Sequence, residues 1–164
     1  MKVVTFQFNP VTAGTSWTVP TGVTRLRAYA IGGGGGGAGL WGGGSGGEAI
    51  AIMQVTSGTV VSIMVGGGGT YSMSGPIPAG QSQVYAAGMM IQGYGGEIAT
   101  VTEVGQGGAS NTSGGPGMSN TVTKNGNSGN GQSGGGGVDS QYPLAGSGGS
   151  GALSGTPGLV IITY

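Results

Sequence analysis

The sequence predicts an all-β protein: a small antiparallel β-sandwich carrying a layer of polyglycine II-type helices. Three observations lead there. Of the 164 residues, 44 are glycine, gathered in blocks that begin and end at β-like segments. Short runs of β-branched and aromatic residues occupy both ends of the chain. Between residues 105 and 158, glycine recurs preferentially in steps of three. Charged residues are 5% of the chain and hydrophobic residues 36%, a balance that argues against disorder despite the glycine content. The length suits one domain, with a β-core from residues 1–65 and 158–164 and glycine-rich loops and polyglycine II segments over 66–157.

Residues 3–8 alternate as a strand does, with Val4, Phe6 and Phe8 on one face and Val3, Thr5 and Gln7 on the other. A short strand follows at 16–19, stopped by Pro20 and a Thr21-Gly22 turn. Residues 23–31 place Leu26, Ala28 and Ala30 on one face and Arg25, Arg27, Tyr29 and Ile31 on the other, the arginine side being a solvated surface. The block from Gly32 to Gly37, followed by Gly39, Gly42, Gly43, Gly44, Gly46 and Gly47, has too few side chains for a helix or a strand core. Its amides must find partners in water or in neighbouring extended segments. Residues 48–55 and 59–65 read as a hairpin around Thr56-Ser57-Gly58. Residues 159–164 form a last strand that is expected to return beside the first.

The triplet spacing has a physical reading. Gly105, Gly108, Gly114, Gly117, Gly126, Gly129 and Gly135 share one phase, and Gly146, Gly149, Gly155 and Gly158 share another. Three residues per turn is the period of polyproline II, which has no internal hydrogen bonds and shows a bare face wherever glycine occupies every third position. Collagen needs an unbroken Gly-X-Y register and abundant proline, whereas here the register breaks and only seven prolines are present. Short helices packed side by side, exchanging N–H···O=C and Cα–H···O bonds, fit the pattern.

Composition removes several function classes. Four basic and four acidic residues leave no electrostatic footprint for nucleic acid or an anionic membrane. The absence of cysteine and histidine excludes disulfides, thiolate metal sites and a serine–histidine nucleophile. The hexaglycine matches a dinucleotide fingerprint, but no amphipathic helix follows it, and Lys124 is followed by Asn125 rather than by the Ser or Thr of a Walker loop. Glu48, Glu97, Glu103 and Asp139 are spaced as isolated, solvent-facing or turn-capping carboxylates rather than as a glycosidase pair. The reading is a non-enzyme without cofactor or metal. No apolar stretch approaches the ~18 residues of a membrane helix, so no membrane insertion is expected, and residues 1–10 are too short and alternating for a signal-peptide core.

What remains is loop chemistry. Trp41 and Leu40 sit inside the first glycine block, Tyr71, Met73 and Ile77 in a Gly/Pro-bounded loop, Met89, Met90 and Tyr94 in another, and Met118, Lys124 with Asn125, and Tyr142 with Leu144 punctuate the third. Large side chains among glycines either plug gaps over a glycine layer, a reading that suits Trp41 and Met89, or serve as contact residues at loop tips. The expected contact set is Tyr71, Met73, Tyr94, Met118, Lys124, Asn125 and Tyr142.

Phe8, the run Gly14-Thr15-Ser16-Trp17-Thr18-Val19-Pro20, Gly22-Val23-Thr24, Leu26 and the polyglycine block resemble the opening of the glycine-rich domain of bacteriophage tail-fibre and related virion proteins. The resemblance continues through Val65 to Gly69 and Gly80-Gln81-Ser82 to the closing Gly158-Leu159-Val160-Ile161-Ile162-Thr163-Tyr164. The glycine-rich half is also similar to the polyglycine II sandwich of the adhesins that cap the long tail fibres of T-even-like phages. The resemblance implies a virion protein, on a tail fibre or the capsid surface, that binds a bacterial surface receptor, protein or glycan, through loops between glycine segments. It also implies contacts with other virion subunits and is compatible with a homo-oligomer. The chain starts on its first strand without a fibre shaft, which reads as a stand-alone virion part. A capsid decoration or head-fibre protein is the structural alternative. Ice binding is a third, disfavoured because the triplet side chains form no regular Thr or Ala row.

Overall fold

Ten strands and no helix make up the regular structure of the computed structural model, which describes residues 1–7, 14–72, 75–114, 117–130, 133–137, 141–142 and 144–164. Phe8, Met73 and Asp139 lie outside the described residues. The strands are β1 (Val3–Gln7), β2 (Thr15–Thr18), β3 (Arg25–Ile31), β4 (Glu48–Gln54), β5 (Val60–Met64), β6 (Ser82–Ala86), β7 (Met89–Gly93), β8 (Ser110–Ser113), β9 (Met118–Lys124) and β10 (Leu159–Thr163). They form two five-stranded sheets, ordered β1-β10-β3-β4-β9 and β2-β5-β6-β7-β8, with every pairing antiparallel.

The last strand does return to the first: β10 lies between β1 and β3, pairing Ile162 with Val4 and with Ala28. Leu26, Ala28 and Ala30 of β3 face inward as their alternation requires, joined by Ala49, Ala51 and Met53 of β4 and Val160 and Ile162 of β10. Opposite them lie Val61 and Ile63 of β5, Val84 and Ala86 of β6, and Met89 and Ile91 of β7. The alanines of one sheet leave volume that the branched chains of the other fill. Arg25 and Arg27 point to solvent, and the Arg27 guanidinium stacks 4.9 Å from the centroid of Tyr29.

Three expectations are corrected. Residues 48–54 and 60–64 are not a hairpin: β4 pairs with β3 and β9, while β5 pairs with β2 and β6. The turn between them, closed by Thr59 N–H on Thr56 C=O, carries the chain from one sheet to the other. A crossing is favoured because Val55 and Val61, on either side of it, are both buried in the core between the sheets. Second, the glycine-rich half holds strands of its own. Met89 and Met90 are on β7 rather than in a loop, and β6 and β7 close as a hairpin over Ala87 (φ 49) and Gly88 (φ 79), the left-handed pair that a two-residue turn requires. Third, at Gly114 and Gly117, although in the triplet phase, an added Cβ would meet side chains, of Met118 and Met89 and of Met89 and Gln54 respectively, rather than the backbone of a neighbouring pass.

At one end of the sandwich the strands do not turn. They continue as glycine passes: β3 into 32–37, β5 into 66–69, β7 into 94–99 and β9 into 125–130, while 42–47, 77–80, 105–109 and 153–158 lead back into β4, β6, β8 and β10. Passes 133–137 and 146–149 connect the rest. Hydrogen bonding there changes partner with every residue and returns to the same partner after three. In pass 42–47, Gly43 and Gly46 donate to Gly149 and Gly146, Gly44 and Gly47 to Glu97 and Tyr94, and Ser45 to Asn127. The same pass accepts from Gly105 and Gly108, from Gly135, and from Gly32 and Gly35. It is therefore surrounded by six passes: 146–149, 94–99, 125–130, 105–109, 133–137 and 32–37. Pass 32–37 repeats the arrangement, donating from Gly32 and Gly35 to Gly47 and Gly44, from Gly34 and Gly37 to Thr156 and Leu153, and from Gly33 to Gly80. A threefold screw with six neighbours is the polyglycine II lattice.

Only glycine fits its interior. A Cβ built on Gly34, Gly35 or Gly44 would stand 1.9 Å from the carbonyl oxygen of Ser147, Glu97 or Gln106 respectively. Ser45 and Ala99 are the buried exceptions among the described passes, and the Ser45 hydroxyl accepts a 2.7 Å hydrogen bond from Asn127 N–H. Ordering glycine costs more backbone entropy than ordering any other residue. The lattice offsets this by satisfying nearly every inner amide and by growing directly out of strands that the apolar core already fixes.

Candidate functional site

At the far end of the lattice, among the described residues, five connections between passes are closed by short-range pairs. Residues 38–41 close through the mutual Ala38–Trp41 pair, with Gly39 at φ 58. Thr70 and Ile77 pair in the same mutual way, as do Asn130 and Ser133. Turn 99–104 is held by Thr100, whose hydroxyl accepts from the N–H groups of Thr102 and Glu103. Turn 150–153 is held by Leu153 N–H on Ser150 C=O, with Gly151 at φ 55. The turns are tied together: Trp41 Nε1 donates to Val101 C=O at 2.9 Å, and Gly134 N–H donates to Ser150 Oγ at 3.2 Å.

Large apolar side chains on this end stand in solvent. Leu40, Ile77, Val101 and Leu153 are each 60% exposed or more, and Tyr71 joins them. Four of the five turns thus carry exposed apolar surface, 130–133 being the polar one. Glu103 is the sole charged residue in these five turns, so the cap is apolar and almost neutral. Such a collection of protruding apolar groups on a rigid base marks an interaction surface more often than an accident of folding.

The structure places six of the seven sequence-derived contact residues, at three levels. Tyr71 is on the cap, and Met73, in the same turn sequence, lies outside the described residues. Tyr94, Lys124, Asn125 and Tyr142 sit where the strands pass into the lattice. Lys124 is the last residue of β9, its Nζ 3.3 Å from Glu48 Oε2. Glu48 is fully buried, contrary to the solvent-facing role its isolated position suggested. Tyr142 lines a cavity of about 530 Å³ with Leu144, Pro157 and Leu159. Met118 opens β9 at the opposite end of the sandwich and packs, half-buried, against the core. Sequence reasoning noted Leu40, Trp41 and Ile77 without selecting them and passed over Val101 and Leu153. Their common signal is a large apolar residue at the outer end of a glycine pass.

A family model described as a glycine-rich domain matches residues 10–164. The chain belongs to the glycine-rich domain family. No curated protein matches it. Among the described residues of this glycine-rich domain, no group of three or more Asp, Glu, His or Cys side chains is placed to hold a metal ion.

Proposed function

We propose that this glycine-rich domain is a surface-recognition module of a bacteriophage virion, an adhesin that engages a receptor on the bacterial surface, protein or glycan, with the turns at the end of its lattice. The reading is non-enzymatic and without cofactor. The observation that carries it is the cap itself: Leu40, Tyr71, Ile77, Val101 and Leu153 exposed together on turns whose bases are locked by hydrogen bonds. A pre-ordered surface loses little entropy on binding, and burial of each aliphatic side chain against a receptor is worth about 1.5–3 kcal/mol.

The test is the triple variant Leu40→Ser, Ile77→Ser, Leu153→Ser, in which no altered side chain belongs to the core. Expected is an unchanged melting transition with lost attachment of the purified domain to host cells. Attachment at wild-type level would overturn the adhesin reading. The capsid-decoration alternative predicts the opposite sensitivity, with particle assembly failing when the outer strands β1 or β9 are altered and persisting when the cap is changed.

A further inference from the structure

On one flank of the lattice a groove of about 480 Å³ runs between passes 77–80 and 94–99, lined by Tyr71, Pro76, Pro78, Ala79, Ile98 and Thr100 among others. Pass 94–99 has three backbone faces, and two are used internally. Tyr94 and Glu97 donate to Ala109 and Gln106, while Gly96 and Ala99 donate to Gly33 and Gly36. The third set is Gly95 and Ile98. Among the described residues neither N–H has an acceptor in the chain, and both residues line the groove. Across from them no N–H of the described residues donates to the carbonyls of Pro76 and Pro78.

In a six-neighbour array, pass 94–99 already has 32–37, 42–47 and 105–109 as hydrogen-bonded neighbours, and 77–80 as a packing neighbour, since a Cβ on Gly95 would lie 2.3 Å from Ala79 oxygen. The groove is thus an open position of the lattice. We propose that it binds a partner peptide in the polyproline II conformation, which adds to the lattice as one further pass. Its own geometry selects the occupant. Gly95 and Ile98 are three residues apart, so their donors repeat at about 9.3 Å, which is also the repeat of carbonyls on one side of a polyproline II chain. A β-strand offers outward carbonyls every two residues, about 6.6 Å, and falls out of step. Tyr71 beside two prolines supplies the aromatic wall against which proline-rich segments pack. Glu97, the one carboxylate on the groove, favours a basic residue in the partner. This site shares Tyr71 and Thr100 with the proposed adhesive cap, extends beyond it along the flank, and does not depend on the adhesive reading.

The probe is a synthetic peptide of about nine residues, Pro-Lys-Gly repeated and blocked at both ends, titrated into the isotopically labelled domain and followed by amide NMR. The expected result is saturable shifts led by Gly95 and Ile98. Ile98→Pro removes one donor that the fold does not use, at a position whose extended backbone accepts proline, and should leave the thermal transition in place while weakening binding about tenfold. Tyr71→Ala, which removes an exposed ring, is the second variant and should weaken binding with the fold intact. Shifts absent from Gly95 and Ile98, equal affinity for both variants and wild type, or equal binding of a strand-forming peptide or an oligosaccharide would each overturn the proposal.

Discussion

Gly44→Ala is the most informative single change in the lattice. Its added methyl would lie 1.9 Å from the carbonyl oxygen of Gln106 and 2.3 Å from its carbon. Backbone cannot swing aside as a side chain can, so passes 42–47 and 105–109 must separate by more than about 1 Å to reach ordinary contact. That separation strains the bonds from Gly105 and Gly108 to Gly42 and Ser45, now 3.0 and 2.8 Å. With each of these two buried pairs costing about 1–3 kcal/mol if left unsatisfied, the expected loss is about 2–6 kcal/mol. That is a large share of the about 5–15 kcal/mol that holds a domain together. The matched control is Gly136→Ala, where no atom lies within 4 Å of the new methyl and φ is outside the left-handed region. It should be neutral or stabilising by up to about 1 kcal/mol, through the unfolded chain. Urea unfolding followed by circular dichroism reads both. If Gly44→Ala and Gly136→Ala unfold at the same midpoint, the lattice is not close-packed and the reasoning fails.

Gly149→Val should behave like Gly44→Ala, because its Cβ would meet Leu153 oxygen at 2.0 Å, and a soluble variant with wild-type melting would show that turn 150–153 is not packed on the lattice. Amide exchange should divide one pass internally: Gly96 and Ala99, which donate to Gly33 and Gly36, are slow, whereas Gly95 and Ile98 are fast. Uniform rates across 94–99 would contradict the threefold assignment. Lys124→Ala leaves the fully buried Glu48 carboxylate without its cation, and because the lysine is half exposed the cost is expected at about 1–3 kcal/mol. Adding Glu48→Gln should recover part of it. A receptor-contact role alone for Lys124 predicts no stability change in the single variant.

Much of the architecture was legible because its signals are local. Alternation on residues 3–7 and 25–30 settles which faces are inward, whereas Ile31, on the arginine side by alternation, is fully buried where β3 enters the lattice. The triplet phase of Gly105, Gly108, Gly126 and Gly129 corresponds to real bonds, Gly126 N–H to Gly108 and Gly129 N–H to Gly105. The strand pairing of residues 48–64 was not legible, since a short turn between two apolar runs looks the same whether the chain folds back in one sheet or crosses to the other. Strand β9 was hidden because Ser119 to Lys124 are exposed and carry no inward alternation. The cap was only partly visible. Leu40 and Ile77 stand out in sequence, but Leu153 and Val101 become its neighbours only through passes that cross the whole lattice.

The return of each backbone bond to the same neighbour after three residues has a consequence for how this scaffold changes length. Adding one residue to a pass rotates everything beyond it by about 120° and hands each amide to the wrong neighbour. Adding three residues to each of two adjoining passes restores every phase and lifts the turns by about 9.3 Å. Height on such a pedestal is therefore quantised, and the turns it carries can be raised or exchanged without redrawing the wiring beneath them.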